Sequence, residues 1–355
     1  MKKFIPVNKP LITNADAKEV YNSLKTGWIS SEGPNVKKFE QSFSNFIGKK
    51  YSAAVSSGSA ALEIAVKSLG LKSNDEIIVP NFTIISNALP VIKLGYKIKL
   101  IDCEIYNWNM SFDKLKKSIS NKTKAIIITH IYNFPFRIDL LKQFCEKKKI
   151  FLIEDAAENL GQSIHNNKCG SFGDISVFSF YANKQITTGE GGMLCTNNKK
   201  IYNKIISLRN LCFGKVNRFN HSDIGWNYRM TNMQATIGLN QLKRINSIVL
   251  RRQKIGKFYY KKLSKNKNIF IPSAKNSYSK NIYWVNAVLI INKKINLDSK
   301  KTIKILNHHG IEARPFFWPM HKQNILKKKY IIKKMSFLAL NIFLNMDFIY
   351  LLVCR

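Results

Sequence analysis

Between residues 50 and 200, short apolar runs alternate with stretches of helical pattern, and this alternation limits the possible folds more than any other feature. Strands that alternate with helices predict a mostly parallel sheet with helices on both faces. The runs are continuously apolar, which predicts strands that are buried on both sides. The predicted strands are residues 76–80, 96–102, 124–130, 150–155, 174–180 and 191–196, and residues 57–70 predict a helix.

The length and composition indicate two domains. A chain of 355 residues with 45% hydrophobic content is long enough for a large domain and a smaller one, each with its own core. From about residue 245 onward the lysine-rich sequence changes character, and a helix, a strand and a further helix are predicted. We therefore expect a large domain over residues 1–244 and a smaller α+β domain over 245–334.

Several classes of protein are disfavoured. The N-terminus has no apolar stretch and no cleavage site of a secretory signal, so we expect a cytoplasmic protein. The six cysteines form no CxxC pair, which argues against a metal site and a disulfide framework. The net charge of +37 comes without any nucleic-acid-binding motif, so no nucleic acid is expected as a partner.

The segment FSFYANKQITTGEGGM, residues 178–193, places a lysine in a loop between two apolar runs. A lysine amine forms a Schiff base with an aldehyde cofactor, and partial burial lowers its pKa so that it acts as a base once released. Lys184 is therefore a candidate catalytic residue. By itself, however, a lysine at the end of a strand is more often structural.

Two other motifs have the same ambiguity when each is taken alone. Asp155 follows an apolar strand, where a buried carboxylate needs a partner such as the ring nitrogen of a pyridine cofactor. An aspartate at that position is often a helix cap or a metal ligand instead. The SSGS run at residues 56–59 opens a helix, where free amides form a phosphate site or the serine is simply a cap.

The order of these motifs narrows the alternatives. Together with GWISSEGPNVKKFE, IIVPNFT, IGWNYRMTNMQATIGLNQL and GIEARPFFWPMH, they resemble the DegT and StrS family of nucleotide-sugar aminotransferases over residues 5–321. The resemblance implies an α/β fold of the fold-type I class that depends on pyridoxal 5'-phosphate (PLP). This fold has a mostly parallel seven-stranded sheet with helices on both faces, plus a smaller α+β C-terminal domain.

The resemblance also implies roles for individual residues. Lys184 would bind the PLP aldehyde and move a proton between the cofactor and the sugar, and Asp155 would pair with the ring nitrogen. Asn227 would reach the phosphate of the neighbouring subunit, which implies a homodimer with active sites at the subunit interface. The phosphate would be held by Ser57, Gly58, Ser59 and Ser179.

The implied reaction is a transamination in two halves. Glutamate gives its amino group to the cofactor, which then converts a nucleotide-linked 4-keto-6-deoxy sugar to the 4-amino sugar for surface polysaccharide biosynthesis. Segments 28–33 and 314–321 resemble the branch of the family that acts on GDP-4-keto-6-deoxymannose, so this is the expected acceptor. A UDP- or dTDP-linked keto sugar is the alternative. The candidate substrate-binding residues are Trp28, Ser30, Arg314 and His321.

The chain departs from the family pattern at several positions. Ile84 stands where an aromatic residue usually stacks on the cofactor ring, and we expect Phe82 to replace that contact. Asn133 replaces a glycine, Arg137 replaces an acidic residue, and Asn281 replaces a histidine. Ile84 and Arg137, together with an abnormal C-terminal tail, support a second interpretation, in which the chain is a non-catalytic member of the family.

The last 21 residues, 335–355, are mostly apolar and do not resemble the family. A membrane anchor would fit their length, but the polar residues inside the segment argue against it, and no membrane association is expected. Read one base earlier, permitted codons for residues 341–355 encode EYLSKYGFYLPSGLS, which resembles the end of family members. We therefore expect that a frameshift has replaced the end of the small domain.

Overall fold

The structure is a computed structural model that describes residues 4–134, 136–214, 216–272, 277–291, 298–329, 337 and 347–351. The helices are α1 (Asn14–Lys25), α2 (Pro34–Ile47), α3 (Gly58–Ser68), α4 (Leu89–Lys93), α5 (Phe112–Ser118), α6 (Ile138–Lys148), α7 (Lys199–Arg209), α8 (Asn232–Leu242), α9 (Ile245–Leu263), α10 (Ser299–His308) and α11 (Asn324–Lys329). The strands of the large domain are β1 (Tyr51–Val55), β2 (Glu76–Pro80), β3 (Lys97–Ile101), β4 (Thr123–Thr129), β5 (Phe151–Asp155), β6 (Ser163–Ile164), β7 (Asn167–Lys168), β8 (Ile175–Ser179) and β9 (Gly192–Thr196).

Seven of these strands form one sheet in the order β1-β9-β8-β5-β4-β2-β3. The pairs within β8-β5-β4-β2-β3 are parallel, whereas β9 runs antiparallel to both of its neighbours. The prediction of a mostly parallel seven-stranded sheet is thus confirmed, and each predicted strand lies within one or two residues of an observed one. The short strands β6 and β7 form a separate hairpin.

Both faces of the sheet are covered, as the continuous apolar runs predict. In β2, Ile77 and Val79 belong to one buried cluster, while Ile78 between them belongs to another on the opposite face. On a further part of the sheet, Phe43 of α2 packs edge-to-face against Phe178 of β8, with ring centroids 4.8 Å apart. Because side chains alternate along a strand, each strand contributes to two layers of core.

The smaller domain contains a three-stranded antiparallel sheet. Its strands are β10 (Ile269–Phe270), β11 (Asn286–Ile290) and β12 (Asp347–Leu351), with β11 in the centre. Helix α9 begins at the predicted domain boundary. Residues at the N-terminus, however, pair with the smaller domain, since the Ile5 amide donates to the Gly310 carbonyl at 2.7 Å. The division at residue 244 stays a prediction, and this pairing crosses it.

Only part of the apolar tail belongs to the described chain. Strand β12 lies within it, and Phe337 is buried and stacks on His321 with ring centroids 4.6 Å apart. The rest of residues 335–355 lies outside the described residues, and the frameshift stays a prediction. Where the structure describes the chain, no helix is both long and apolar enough to cross a membrane.

Candidate active site

A cavity of about 390 Å³ lies at the carboxyl ends of β5 and β8, beside the N-terminus of α3. We call it the central cavity. It brings together residues that are far apart in sequence, as expected for the strand ends of an open α/β sheet. Six of the predicted site residues line it: Ser57, Gly58, Ser59, Asp155, Ser179 and Lys184.

Lys184 follows β8 in a tight turn, in which its amide donates to the Tyr181 carbonyl at 2.9 Å. Its Nζ lies 3.7 Å from the centroid of the Trp284 ring, and Trp284 is held by a 2.9 Å hydrogen bond from its indole nitrogen to the Asn183 carbonyl. Burial lowers the pKa of Lys184, and the nearby carboxylates of Glu158 and Asp155 oppose that shift. A larger share of the amine is therefore neutral at neutral pH than in a solvated lysine.

Asp155 is buried at the end of β5 in a fixed orientation. Its carboxylate accepts hydrogen bonds from Asn87 Nδ2 at 2.9 Å, from the Ala157 amide at 3.1 Å and from Thr129 Oγ1 at 3.3 Å. Burial raises the pKa of Asp155, and these hydrogen bonds offset the rise only in part. The site thus keeps a buried carboxylate that gains stability from a cationic partner.

The first turn of α3 lines one side of the cavity. Ser57 is the N-cap, and its hydroxyl accepts from the Ala60 amide at 3.1 Å. The amides of Gly58 and Ser59 precede the repeating helical hydrogen bonds, so they can donate to an anion. A Cβ on Gly58 would lie 2.9 Å from the Cβ of Ser179, so that only glycine allows this close approach.

Several residues of the central cavity were not predicted. Glu158 is one of them: its carboxylate accepts from the Tyr132 amide at 2.6 Å, and burial raises its pKa to about 8. Its signal was present, because it lies three positions after Asp155 in IEDAAENLG. Asn183, Trp284 and Phe317 also line the cavity and were not predicted.

The loop after β4 shows how the chain accommodates one departure from the family. Asn133 has φ of 65°, the left-handed conformation that glycine and asparagine adopt most easily. Its side-chain amide donates to the Glu158 carbonyl, and its side-chain oxygen accepts from the Trp284 amide. Asparagine therefore connects two walls of the cavity. Outside this loop, Arg137 forms an ion pair with Asp139, with Nη2 and Oδ2 2.7 Å apart.

The other predicted site residues do not line the central cavity. Phe82 is buried against Tyr132 and Phe316, so Ile84 occupies the wall where a stacking ring was expected. Asn227 is exposed and pairs with Asn210. Trp28 and Arg314 are largely exposed. His321 is partly buried, which lowers its pKa to about 4. The main-chain carbonyl of Ser30, the remaining residue, accepts a hydrogen bond from the main-chain amide of Asn232.

The comparison with known proteins identifies the family. The model of the DegT/DnrJ/EryC1/StrS aminotransferase family matches residues 10–339. This chain belongs to that family. GDP-perosamine synthase of Escherichia coli O157:H7 is 35% identical over 92% of this chain and 88% of its own length. The synthase of Vibrio cholerae is 33% identical over 89% of this chain and 86% of its own length, which confirms the predicted resemblance.

A solved structure confirms the fold. The E. coli GDP-4-keto-6-deoxy-D-mannose-3-dehydratase with bound hydrated PLP superimposes with a TM-score of 0.88 at 23% identity, covering 98% of this chain and 95% of its own. Fold-type I is therefore the fold of this chain. The family match and the relatives identify it as a PLP-dependent sugar aminotransferase. The family match also extends beyond His321, into the region where the sequence resemblance had ended.

The central cavity fits PLP. The turn at the start of α3 offers main-chain amides and hydroxyls of the kind that bind a phosphate, and the buried carboxylate of Asp155 is of the kind that pairs with a protonated ring nitrogen. Asn183 Oδ1 is buried in the described part of the chain without a hydrogen-bond partner, and Asn183 lines the same cavity. A ligand bound in the cavity could therefore donate a hydrogen bond to this oxygen.

Proposed function

We propose that this enzyme converts a nucleotide-linked 4-keto-6-deoxy sugar to the 4-amino sugar, with glutamate as the amino donor. GDP-4-keto-6-deoxymannose is the leading acceptor, and the product serves surface polysaccharide synthesis. The observation that carries the proposal is the single cavity shared by Lys184, Asp155 and the first turn of α3. The names of the two curated relatives support the GDP-linked sugar.

The residues of the central cavity have distinct parts in this proposal. The amides and hydroxyls of Ser57, Gly58, Ser59 and Ser179 bind the cofactor phosphate, and Asp155 holds a proton at the ring nitrogen. When bound, PLP supplies an electron sink that stabilises negative charge on the carbon bearing the amino group. Lys184 would hold the cofactor and, once released, would move a proton between the reacting carbons, a role favoured by the lowered pKa of its buried amine.

Residues around Lys184 support this proton transfer. Glu158 lies beside the amine in a buried setting, so it can take up or release a proton near neutral pH. Trp284 and Phe317 form an apolar wall of the cavity, which limits access of water to the amine. The homodimer, the role of Asn227 across its interface and the cytoplasmic location stay predictions from the sequence.

An absorbance spectrum of the purified protein with PLP tests the first half-reaction. We expect a band of lysine-bound cofactor that glutamate converts to the band of the aminated cofactor. Lys184→Ala should abolish both, whereas Lys147→Ala, on the exposed side of α6, should leave both unchanged. If no lysine-bound band forms in the parent protein, the non-catalytic interpretation replaces the proposal.

The acceptor is tested separately. Protein carrying the aminated cofactor is mixed with GDP-4-keto-6-deoxymannose, or with UDP- and dTDP-linked 4-keto-6-deoxy sugars. We expect the GDP sugar to return the cofactor band fastest. Faster return with a UDP or dTDP sugar would replace the GDP sugar as the substrate and leave the aminotransferase function intact.

A further inference from the structure

The amine of Lys184 lies over the face of an aromatic ring. Its Nζ is 3.7 Å from the ring centroid of Trp284, a distance at which an ammonium group interacts with the electrons of the ring. Trp284 is 3% exposed and lines the central cavity together with Lys184. It stands two residues before β11. The segment that leads into β11 therefore places an aromatic face against the catalytic amine.

Hydrogen bonds and stacking fix the orientation of this ring. The indole nitrogen of Trp284 donates to the carbonyl of Asn183, the residue before the catalytic lysine, at 2.9 Å. The Trp284 carbonyl accepts from Arg252 at 3.2 Å, and its amide donates to Asn133 Oδ1. The Tyr132 ring stacks on the indole at an interplanar angle of 26°. The ring thus cannot turn away from the amine without breaking these contacts.

The other groups that act on the charge of Lys184 are charged side chains. The carboxylates of Glu158 and Asp155 favour its ammonium form, whereas the guanidinium of Arg252 disfavours it. Burial disfavours the ammonium form most strongly, because the group loses its hydration. The face of an aromatic ring stabilises a cation although it carries no charge and accepts no proton. Trp284 therefore favours the ammonium form without competing for its proton.

The proposed reaction requires Lys184 to change its charge twice. The neutral amine takes a proton from one carbon and becomes an ammonium group. The ammonium group then gives a proton to another carbon and becomes neutral again. Between the two transfers the lysine carries a positive charge in a buried site, where a charge needs compensation from its surroundings.

We propose that Trp284 is a positioning residue for this proton transfer, because its ring holds the amine of Lys184 and stabilises the ammonium form between the two transfers. The inference rests on the proposed function, since that function gives Lys184 the proton. A ring that only excluded water would have to be large and apolar. A ring that stabilises an ammonium group must also be rich in electrons at its face, so a change of electron density at constant shape separates the two roles.

Replacement of the five tryptophans by 5-fluorotryptophan makes this change, because fluorine withdraws electrons from the indole face. In the PLP-free protein, mass spectrometry of the Lys184 peptide measures how fast acetic anhydride acetylates the amine. Only the neutral amine reacts. A weaker interaction with the ring lowers the pKa of Lys184, so its labelling should be about two- to threefold faster at a pH where the ammonium form predominates. The exposed Lys147 serves as the internal reference, whose labelling should not change.

Trp284→Phe provides the matched control. It leaves four tryptophans, none of them over the amine of Lys184, so fluorination should not change the labelling of Lys184 in this variant. Equal labelling of Lys184 in the ordinary and the fluorinated parent overturns the proposal. An equal increase in the parent and in Trp284→Phe also overturns it, because the effect would then come from another tryptophan.

The glutamate half-reaction of the PLP-loaded protein gives a second measurement. Fluorination should lower the maximal rate at which glutamate converts the cofactor band by about twofold or more, and leave the half-saturating glutamate concentration unchanged. A change in the half-saturating concentration alone would assign the ring to binding of the donor and overturn the proposal.

The two measurements also distinguish this inference from the proposed function. If fluorination speeds the labelling of Lys184 but glutamate does not convert the cofactor band of the parent, the contact of ring and amine stands and the proposed function is refuted. If glutamate converts the band and fluorination leaves the labelling unchanged, the function stands and the role of Trp284 is refuted.

Discussion

Two neighbouring carboxylates of β5 face opposite sides of the sheet and have opposite surroundings. Burial opposes ionisation of Glu154, yet hydrogen bonds from His130 and main-chain amides lower its pKa. Burial raises the pKa of Asp155, and its three hydrogen bonds offset the rise only in part. The groups that donate to Glu154 are the Gly170, Phe172 and Gly173 amides and the Ser176 hydroxyl, and His130 Nε2 lies 3.1 Å from it.

The difference indicates which carboxylate serves structure and which serves function. Glu154 has its charge compensated by the protein itself. Its group with His130 and Cys169, whose ligand atoms all lie within 4.8 Å of one another, resembles a metal site by composition. However, the oxygens of Glu154 already accept several hydrogen bonds, and burial raises the pKa of the Cys169 thiol well above its usual range. Asp155, in contrast, lines a cavity, and its negative charge is only partly compensated by the protein. A cationic group on a ligand would supply the rest.

Replacing Glu154 should have the largest effect on stability. Glu154→Gln places an amide donor against main-chain amides, so we expect a loss of about 3 to 5 kcal/mol in the free energy of unfolding. Urea denaturation measures the loss, with Glu146→Gln on the surface of α6 as the control. If Glu154→Gln unfolds at the parent's urea concentration, Glu154 is not the structural carboxylate.

Replacing Asp155 should separate chemistry from stability. Asp155→Asn keeps the shape but removes the charge that holds a proton at the ring nitrogen, so the glutamate half-reaction should slow by about 100- to 1,000-fold. Urea denaturation of the PLP-free protein should show a smaller loss than for Glu154→Gln, because removing the buried charge of Asp155 offsets part of the hydrogen bonding that is lost. A half-reaction rate close to the parent's would show that Asp155 does not act on the cofactor.

Glu158 extends the comparison to a third carboxylate, through the pH dependence of stability. Its folded pKa of about 8 lies above the ordinary value of 4.5, so the folded chain keeps a proton that the unfolded chain releases. Stability of the PLP-free protein should therefore fall as the pH rises from about 5 to 8, by up to about 1.4 kcal/mol per pH unit. Glu158→Gln should flatten this fall. Identical melting profiles for the two proteins would contradict the assignment.

Most of the sheet was predictable because its strands are continuously apolar. Strand β1 was not predicted, since YSAAV is short and rich in small residues, and nothing in it differs from a loop. Its pairing with β9 provides its stability, and such long-range pairing cannot be read from local sequence.

Long-range contacts also limited the prediction of the active site. Lys184, Asp155 and the turn at residues 57–59 each lie in a local motif, so the sequence was enough to single them out. Asn87 and Trp284 were missed because only folding brings them to Asp155 and Lys184. Phe82 was expected to replace the ring contact that Ile84 lacks, but Ile84 lines the cavity and Phe82 does not.

The pairing of the N-terminal segment with the smaller domain has a consequence for the order of folding. The Val7 amide donates to Glu312 Oε2 across a sequence separation of 305 residues. Contacts of such separation form late, because a long loop must close before they stabilise anything. On a ribosome, Val7 cannot make this contact until Glu312 has been synthesised. Residues 8–12, which line a cavity with Lys184, should thus take their final place after the sheet has formed, so this side of Lys184 is enclosed later than its strands are paired.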